Sequence, residues 1–80
     1  MTIGVGQSMI LKMVEKATKR EADKLIKSGV TDTEEMFKRI VKNPREDKNL
    51  QGLLKMANIS SELLDTAVRK AIEEEVKRGK

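Results

Sequence analysis

The chain of 80 residues contains no cysteine, no histidine, no tryptophan and no tyrosine. Without cysteine there is no disulfide framework, no thiolate nucleophile and no zinc–thiolate site. Without histidine the commonest general base and the imidazole metal ligand are missing as well. The composition therefore predicts a protein that has no metal site and no cofactor, stabilised by packing and helix chemistry alone. A cysteine-free chain also fits a reducing compartment, and we expect a cytoplasmic location.

Aromatic residues and long apolar runs are also scarce. Phe37 is the only aromatic residue, and 38% of the chain is hydrophobic, which predicts a thin core. The longest apolar run is Met9 to Leu11, far below the roughly 20 residues that span a bilayer. The start, MTIGVGQSMILKM, has no basic residue before its apolar part, which glycines interrupt. We therefore expect neither a membrane span nor a signal peptide.

Apolar residues at three- and four-residue spacing, with helix-capping residues between them, predict four α-helices. The first helix is expected from Ser8 to Lys27, where Ser28-Gly29 ends it. Residues 1–7 then form a flexible lead-in, and residues 8–80 form a single helical domain. The fold class expected is all-α, a small four-helix bundle.

Local signals place the other three helices. Thr31 and Glu34 form a capping box at the start of the second helix, and Asn43-Pro44 ends it. A short third helix reaches Ala57. Ser60 is the predicted N-cap of the fourth, which extends to about residue 78.

The third and fourth helices together resemble a helix-turn-helix motif. The stretch LLKMANISSELLDTAVRKAI, residues 53–72, has a short helix, a turn of about three residues and a second helix with an apolar inner face. The resemblance implies a helix-turn-helix-like arrangement. However, Glu62 and Asp65 lie on the face that would meet DNA, where phosphates repel carboxylates. The residues therefore favour two bundle helices joined by a capped turn over a sequence-specific DNA reader.

Charge gives the main functional indication. The chain has 17 basic and 13 acidic residues, and residues 1–28 hold six basic against three acidic ones. On a helix, the six basic residues fall within an arc of about 140°, opposite the apolar stripe. Such a face suits the phosphates of duplex nucleic acid, with two residues of the last helix as secondary contacts. The predicted binding residues are Lys12, Lys16, Lys19, Arg20, Lys24, Lys27, Arg69 and Lys70.

A second hypothesis is a protein–protein interaction module, either a homo-oligomer or an accessory subunit of a larger complex, without nucleic acid binding. Met9 and Met13 fall between the apolar stripe and the basic face, where an adaptable contact patch is expected. Glu75 falls on the apolar arc of the last helix. It is expected either at the edge of the core or in contact with a basic residue of another helix or chain, and the edge of the core is favoured. Enzyme activity is not expected, because no nucleophile lies near a plausible base.

Overall fold

The computed structural model describes residues 5–78 of the chain, and these residues form four α-helices without a strand. The helices are α1 (Val5–Lys27), α2 (Thr33–Glu46), α3 (Lys48–Met56) and α4 (Ser61–Arg78). The all-α prediction and the number of helices are thereby confirmed. None of these four helices combines the length and the apolarity that crossing a bilayer requires.

The first helix begins earlier than predicted, at Val5 rather than after Ser8. The side-chain amide of Gln7 donates hydrogen bonds to the carbonyl oxygens of Ala57, at 2.6 Å, and Asn58, at 3.2 Å. These bonds tie the first turn of α1 to the connection between α3 and α4. The end of α1 is as predicted, because Gly29 has a φ of +99° and the Val30 N–H bonds back to the Leu25 carbonyl. Residues 1–4 of the predicted lead-in lie outside the described part.

The second helix differs from the prediction at both ends. Its N-cap is Asp32, whose carboxylate accepts from the Glu34 N–H, and not Thr31. It also continues through Pro44 to Glu46, so the prediction that Asn43-Pro44 ends it was wrong. A proline near the last turn removes only one intrahelical hydrogen bond, and the neighbouring bonds survive here. The Asp47 N–H still donates to the Asn43 carbonyl. The side-chain amide of Gln51 on α3 donates to the Pro44 carbonyl at 2.7 Å.

The connection between α3 and α4 has the local geometry that was predicted. Asn58 adopts a φ of +58°, which asparagine tolerates better than most residues do. Ile59 is buried, and the Ser60 hydroxyl caps α4 by accepting from the Leu63 N–H at 3.1 Å. The outline of a helix-turn-helix is therefore present, but α3 and α4 pack on α1 and α2 rather than on each other.

The core lies mainly among α1, α2 and α4, and Leu54 of α3 and Ile59 of the following turn complete it. Helices α1 and α4 run parallel. Gln7, near the start of α1, contacts the residues just before α4, and Lys19, further along α1, contacts Glu74 near the end of α4. Helix α2 runs antiparallel to α4, because Arg45 pairs with Asp65 whereas the earlier Glu34 pairs with Arg69. Burying each large aliphatic side chain contributes about 1.5–3 kcal/mol. The largest fully buried side chains are Met36, Leu64, Val68 and Ile72.

Candidate functional site

The outer face of α1 presents the predicted basic residues to solvent. Lys12, Lys16 and Arg20 are exposed and form no ion pair with any residue of the described range 5–78. They follow one another at four-residue spacing, which places them along one side of the helix at about 6 Å per step. Three positive charges without an ion-pair partner in the described part of the chain thus form a continuous line on the surface.

The two cations nearest the end of α1 are paired only within their own helix. Lys24 lies 3.3 Å from Glu21 and Lys27 lies 3.1 Å from Asp23, and both lysine side chains are 76% exposed. Exposed pairs of this kind contribute little to stability and exchange readily with solvent. Both lysines therefore remain available to an external anion.

Lys19 has a different environment, because it makes an ion pair with another helix. Its Nζ lies 3.0 Å from Glu74 Oε1 on α4. The hydrogen bond from Lys19, its charge and the further positive charges of Lys70 and Lys77 lower the pKa of Glu74 below its usual 4.5. Glu74 thus lies among three lysines, two of them on α4. Lys70 was predicted for this surface, whereas Lys77 was missed because its approach depends on how α4 packs on α1.

The charged residues of α1, together with Lys70, Glu74 and Lys77, form a surface that we call the basic face. It contains eight basic and four acidic residues, and the rest of the chain contains nine of each. The whole net charge of +4 therefore belongs to this one face. Such a concentration of charge attracts polyanions more strongly than an even distribution would.

Arg69 was predicted to join this surface but has structural partners elsewhere. Its guanidinium bonds to the Glu34 carboxylate on α2 and lies 4.0 Å above the centre of the Phe37 ring. The hydrogen bond lowers the pKa of Glu34 and raises the pKa of Arg69. Arg69 thus joins α2 to α4 and does not lie with the cations of α1.

The face of α4 that a helix-turn-helix would turn toward DNA is likewise engaged by the protein itself. The Asp65 carboxylate accepts a hydrogen bond from the Arg45 guanidinium at 2.7 Å. The Thr66 hydroxyl donates to the carbonyl of Glu62 in its own helix. This surface therefore presents carboxylates and satisfied hydrogen-bonding groups rather than free donors for base edges.

The methionines that were predicted for a contact patch are exposed. Met9 is 61% and Met13 59% exposed, and Met56 on α3 is 84% exposed. Leu53 and Leu63 are also more than a third exposed. An open cavity of about 360 Å³ lies between α1 and the α2–α3 junction. Its apolar lining comprises Val14, Ala17, Ile40, Pro44 and Leu50.

Glu75 is largely buried. The residue is only 8% exposed, and the cation that lies closest to it among the described residues, Arg78 of the same helix, is 3.8 Å from Oε1. That oxygen is buried and has no hydrogen-bond partner among the described residues. The carboxylate is thus covered mainly by its own fold.

Comparison with known proteins gives no further indication of function. No protein-family model matches the chain, and no curated protein or solved structure is significantly similar to it. The function must therefore be inferred from the geometry and charge of the chain itself.

Proposed function

We propose that this protein binds duplex nucleic acid through the basic face, by contacts to backbone phosphates. The observation that carries the proposal is the line of three exposed cations, Lys12, Lys16 and Arg20, that have no partner within residues 5–78. Lys24 and Lys27 extend the line, and Lys19 and Lys70 flank it from the side of α4. Neutralising a phosphate requires only a positive charge in reach, and such contacts release counterions.

The chemistry of the face favours phosphates over bases. Binding to unpaired bases uses exposed aromatic side chains as stacking platforms. Phe37, the single aromatic residue, is 9% exposed and lies under Arg69. Sequence-specific readout in the major groove relies on free Arg, Asn or Gln side chains on a helix that fits the groove. The basic face offers mainly lysines, so the proposed binding depends weakly on base sequence.

The proposal is tested by titrating the protein into a fluorescently labelled duplex of about 25 base pairs at several salt concentrations. We expect the logarithm of the association constant to fall linearly with the logarithm of salt, with a slope that corresponds to about three to five phosphate contacts. A second duplex of different sequence should bind with closely similar affinity.

Charge-reversal variants locate the binding surface. The variant Lys12→Glu/Lys16→Glu should bind at least about tenfold more weakly and lose about two units of salt slope. The matched control is Lys42→Glu/Lys48→Glu, which makes the same change in net charge at exposed positions on α2 and α3. Equal losses in both variants, or no binding by the unmodified protein at low salt, would overturn the proposal.

A further inference from the structure

The cavity of about 360 Å³ between α1 and the α2–α3 junction, which we call the junction cavity, is large enough to hold a small molecule. Sites for small molecules typically have volumes of about 300–1,000 Å³ and mostly apolar walls with a few polar groups. Three helices contribute apolar side chains to the wall. They are Val14 and Ala17 of α1, Ile40 and Pro44 of α2, and Leu50 of α3. The wall therefore suits the apolar body of a small ligand.

The junction cavity also contains a polar side chain that has no partner in the described part of the protein. Thr18 lines the cavity, is only 3% exposed and makes no side-chain hydrogen bond with any residue of the range 5–78. The Thr66 hydroxyl, by contrast, donates to the Glu62 carbonyl four residues before it. A buried hydroxyl without a partner is unfavourable, so the Thr18 hydroxyl is expected to bond to water or a ligand in the cavity. The cavity thus offers a hydrogen-bonding group within its apolar wall.

The charged residues that line the junction cavity leave one cation without a partner. They are Arg20, Lys24, Glu21 and Asp47. Glu21 lies 3.3 Å from Lys24, and the Asp47 carboxylate accepts from two backbone N–H groups at the positive end of α3. Arg20 forms no ion pair within the described residues. Its guanidinium is therefore available to a ligand, and it can hold a carboxylate through two parallel hydrogen bonds.

We propose that the junction cavity binds a small organic carboxylate with an apolar body, such as a medium-chain fatty acid. Arg20, which is exposed, holds the carboxylate on the solvent side, and the hydrocarbon part packs against Val14 and Leu50. Burial of the apolar part supplies affinity, and the charged hydrogen bonds fix the orientation. This function goes beyond nucleic acid binding, because the apolar wall has no part in phosphate contacts, although Arg20 also belongs to the basic face.

Other occupants would use fewer of these groups. An amphipathic amine would bring a positive charge close to Arg20, which disfavours its binding. A neutral alcohol of the same length would leave the guanidinium without a partner. A phosphate of a duplex can pair with Arg20, but the polar backbone that carries it gains nothing from an apolar wall. A small carboxylate with an apolar body uses both the wall and the unpaired cation.

The test is an NMR titration of the ¹⁵N-labelled protein with octanoate, with octylamine and 1-octanol as matched controls of equal chain length. We expect octanoate to bind at least about tenfold more tightly than octylamine, because only the carboxylate can pair with Arg20. The largest changes in amide chemical shift should lie between Val14 and Glu21 and around Leu50. Equal binding of all three compounds, or no change up to about 10 mM octanoate, would overturn the proposal.

A cavity-filling variant assigns the binding to the junction cavity. Ala17 lines the cavity and is exposed, and leucine is a good helix former, so Ala17→Leu should fold normally while occupying the space of the ligand. We expect it to bind octanoate at least about tenfold more weakly. Its binding to duplex should be unchanged, which separates a failure here from a failure of the proposed nucleic acid binding. Unmodified affinity of Ala17→Leu for octanoate would contradict the proposal.

A second pair of variants separates a specific contact from general attraction by positive charge. Arg20→Gln and Lys16→Gln each remove one positive charge from the basic face, but only Arg20 lines the junction cavity. Both variants should therefore weaken duplex binding to a similar degree. Only Arg20→Gln should weaken octanoate binding, by at least about fivefold. An equal loss of octanoate affinity in both variants would show that no specific pair with Arg20 forms and would overturn the proposal.

Discussion

The outer face of α1 and the interface between α2 and α4 use cationic side chains in opposite ways. At the α2–α4 interface, Arg45 and Arg69 each bond to a carboxylate of the other helix, and Arg69 also covers Phe37. On α1, Lys12 and Lys16 extend into solvent without a partner in the described part of the chain. Cations that pair with carboxylates of the same protein contribute to the stability of the fold. Cations without such a pair can bind an anionic ligand. Substitutions at the α2–α4 interface should therefore change the stability of the fold, whereas substitutions on the outer face of α1 should change the affinity for a ligand.

The largest effect is expected in the core beneath the α2–α4 interface. Leu64→Ala removes a side chain that is 1% exposed and should lower the free energy of unfolding by about 3 kcal/mol, through lost burial and the cavity left behind. Its neighbour Leu63 is 38% exposed, so Leu63→Ala should cost less than about 1 kcal/mol. Urea denaturation followed by circular dichroism compares the two. Equal losses of unfolding free energy in the two variants would mean that α4 does not pack through the face that carries Leu64.

A smaller effect on stability is expected when a paired cation and an unpaired cation are each replaced by alanine. Arg69→Ala removes the ion pair with Glu34 and the contact with Phe37, and should lower the melting temperature measurably. Lys16→Ala should leave the melting temperature nearly unchanged, because Lys16 is exposed and alanine is a good helix former. Duplex affinity should show the reverse order, with the larger loss for Lys16→Ala. A loss of duplex affinity confined to Arg69→Ala would contradict the assignment of the basic face.

The smallest expected effect is a dependence of stability on pH. Hydrogen bonds from Arg69 and Lys19 lower the pKa values of Glu34 and Glu74 below 4.5 in the folded protein. Because the folded pKa values are the lower ones, this stabilisation is fully present above about pH 4.5 and is lost as the pH falls through them. The melting temperature should therefore decrease below about pH 4.5. Glu34→Gln/Glu74→Gln should show a shallower decrease, and an identical acid profile would show that these pairs do not affect stability.

The sequence predicted the helices well at most positions where a local signal decides the structure. The Ser60 cap and the glycine at the end of α1 act within a few residues, so their effects could be foreseen. The local signal at the start of α2 was misjudged, because Asp32 and not Thr31 is the N-cap. The other errors occurred where a contact with another element affects the outcome. Gln7 of α1 donates hydrogen bonds to the chain before α4, and the side-chain amide of Gln51 on α3 donates one to the Pro44 carbonyl of α2.

The same distinction applies to the candidate site. The basic face was predictable because helical periodicity alone places Lys12, Lys16 and Arg20 along one line. The position of Arg69 could not be predicted, because its partner Glu34 is 35 residues away in the chain. Lys77 joins the basic face only because α4 lies parallel to α1, and periodicity within one helix carries no information about that direction.

The most direct test of the basic face is an NMR titration of the ¹⁵N-labelled protein with an unlabelled duplex. We expect the largest changes in amide chemical shift along α1 between Lys12 and Lys27, with smaller ones near Lys70 and Lys77 on α4. Residues of α2 should change least, because Arg45 and the carboxylates opposite it remain paired. Changes concentrated at the start of α4, around Ser61 and Glu62, would instead indicate binding through the helix-turn-helix outline and would contradict the account.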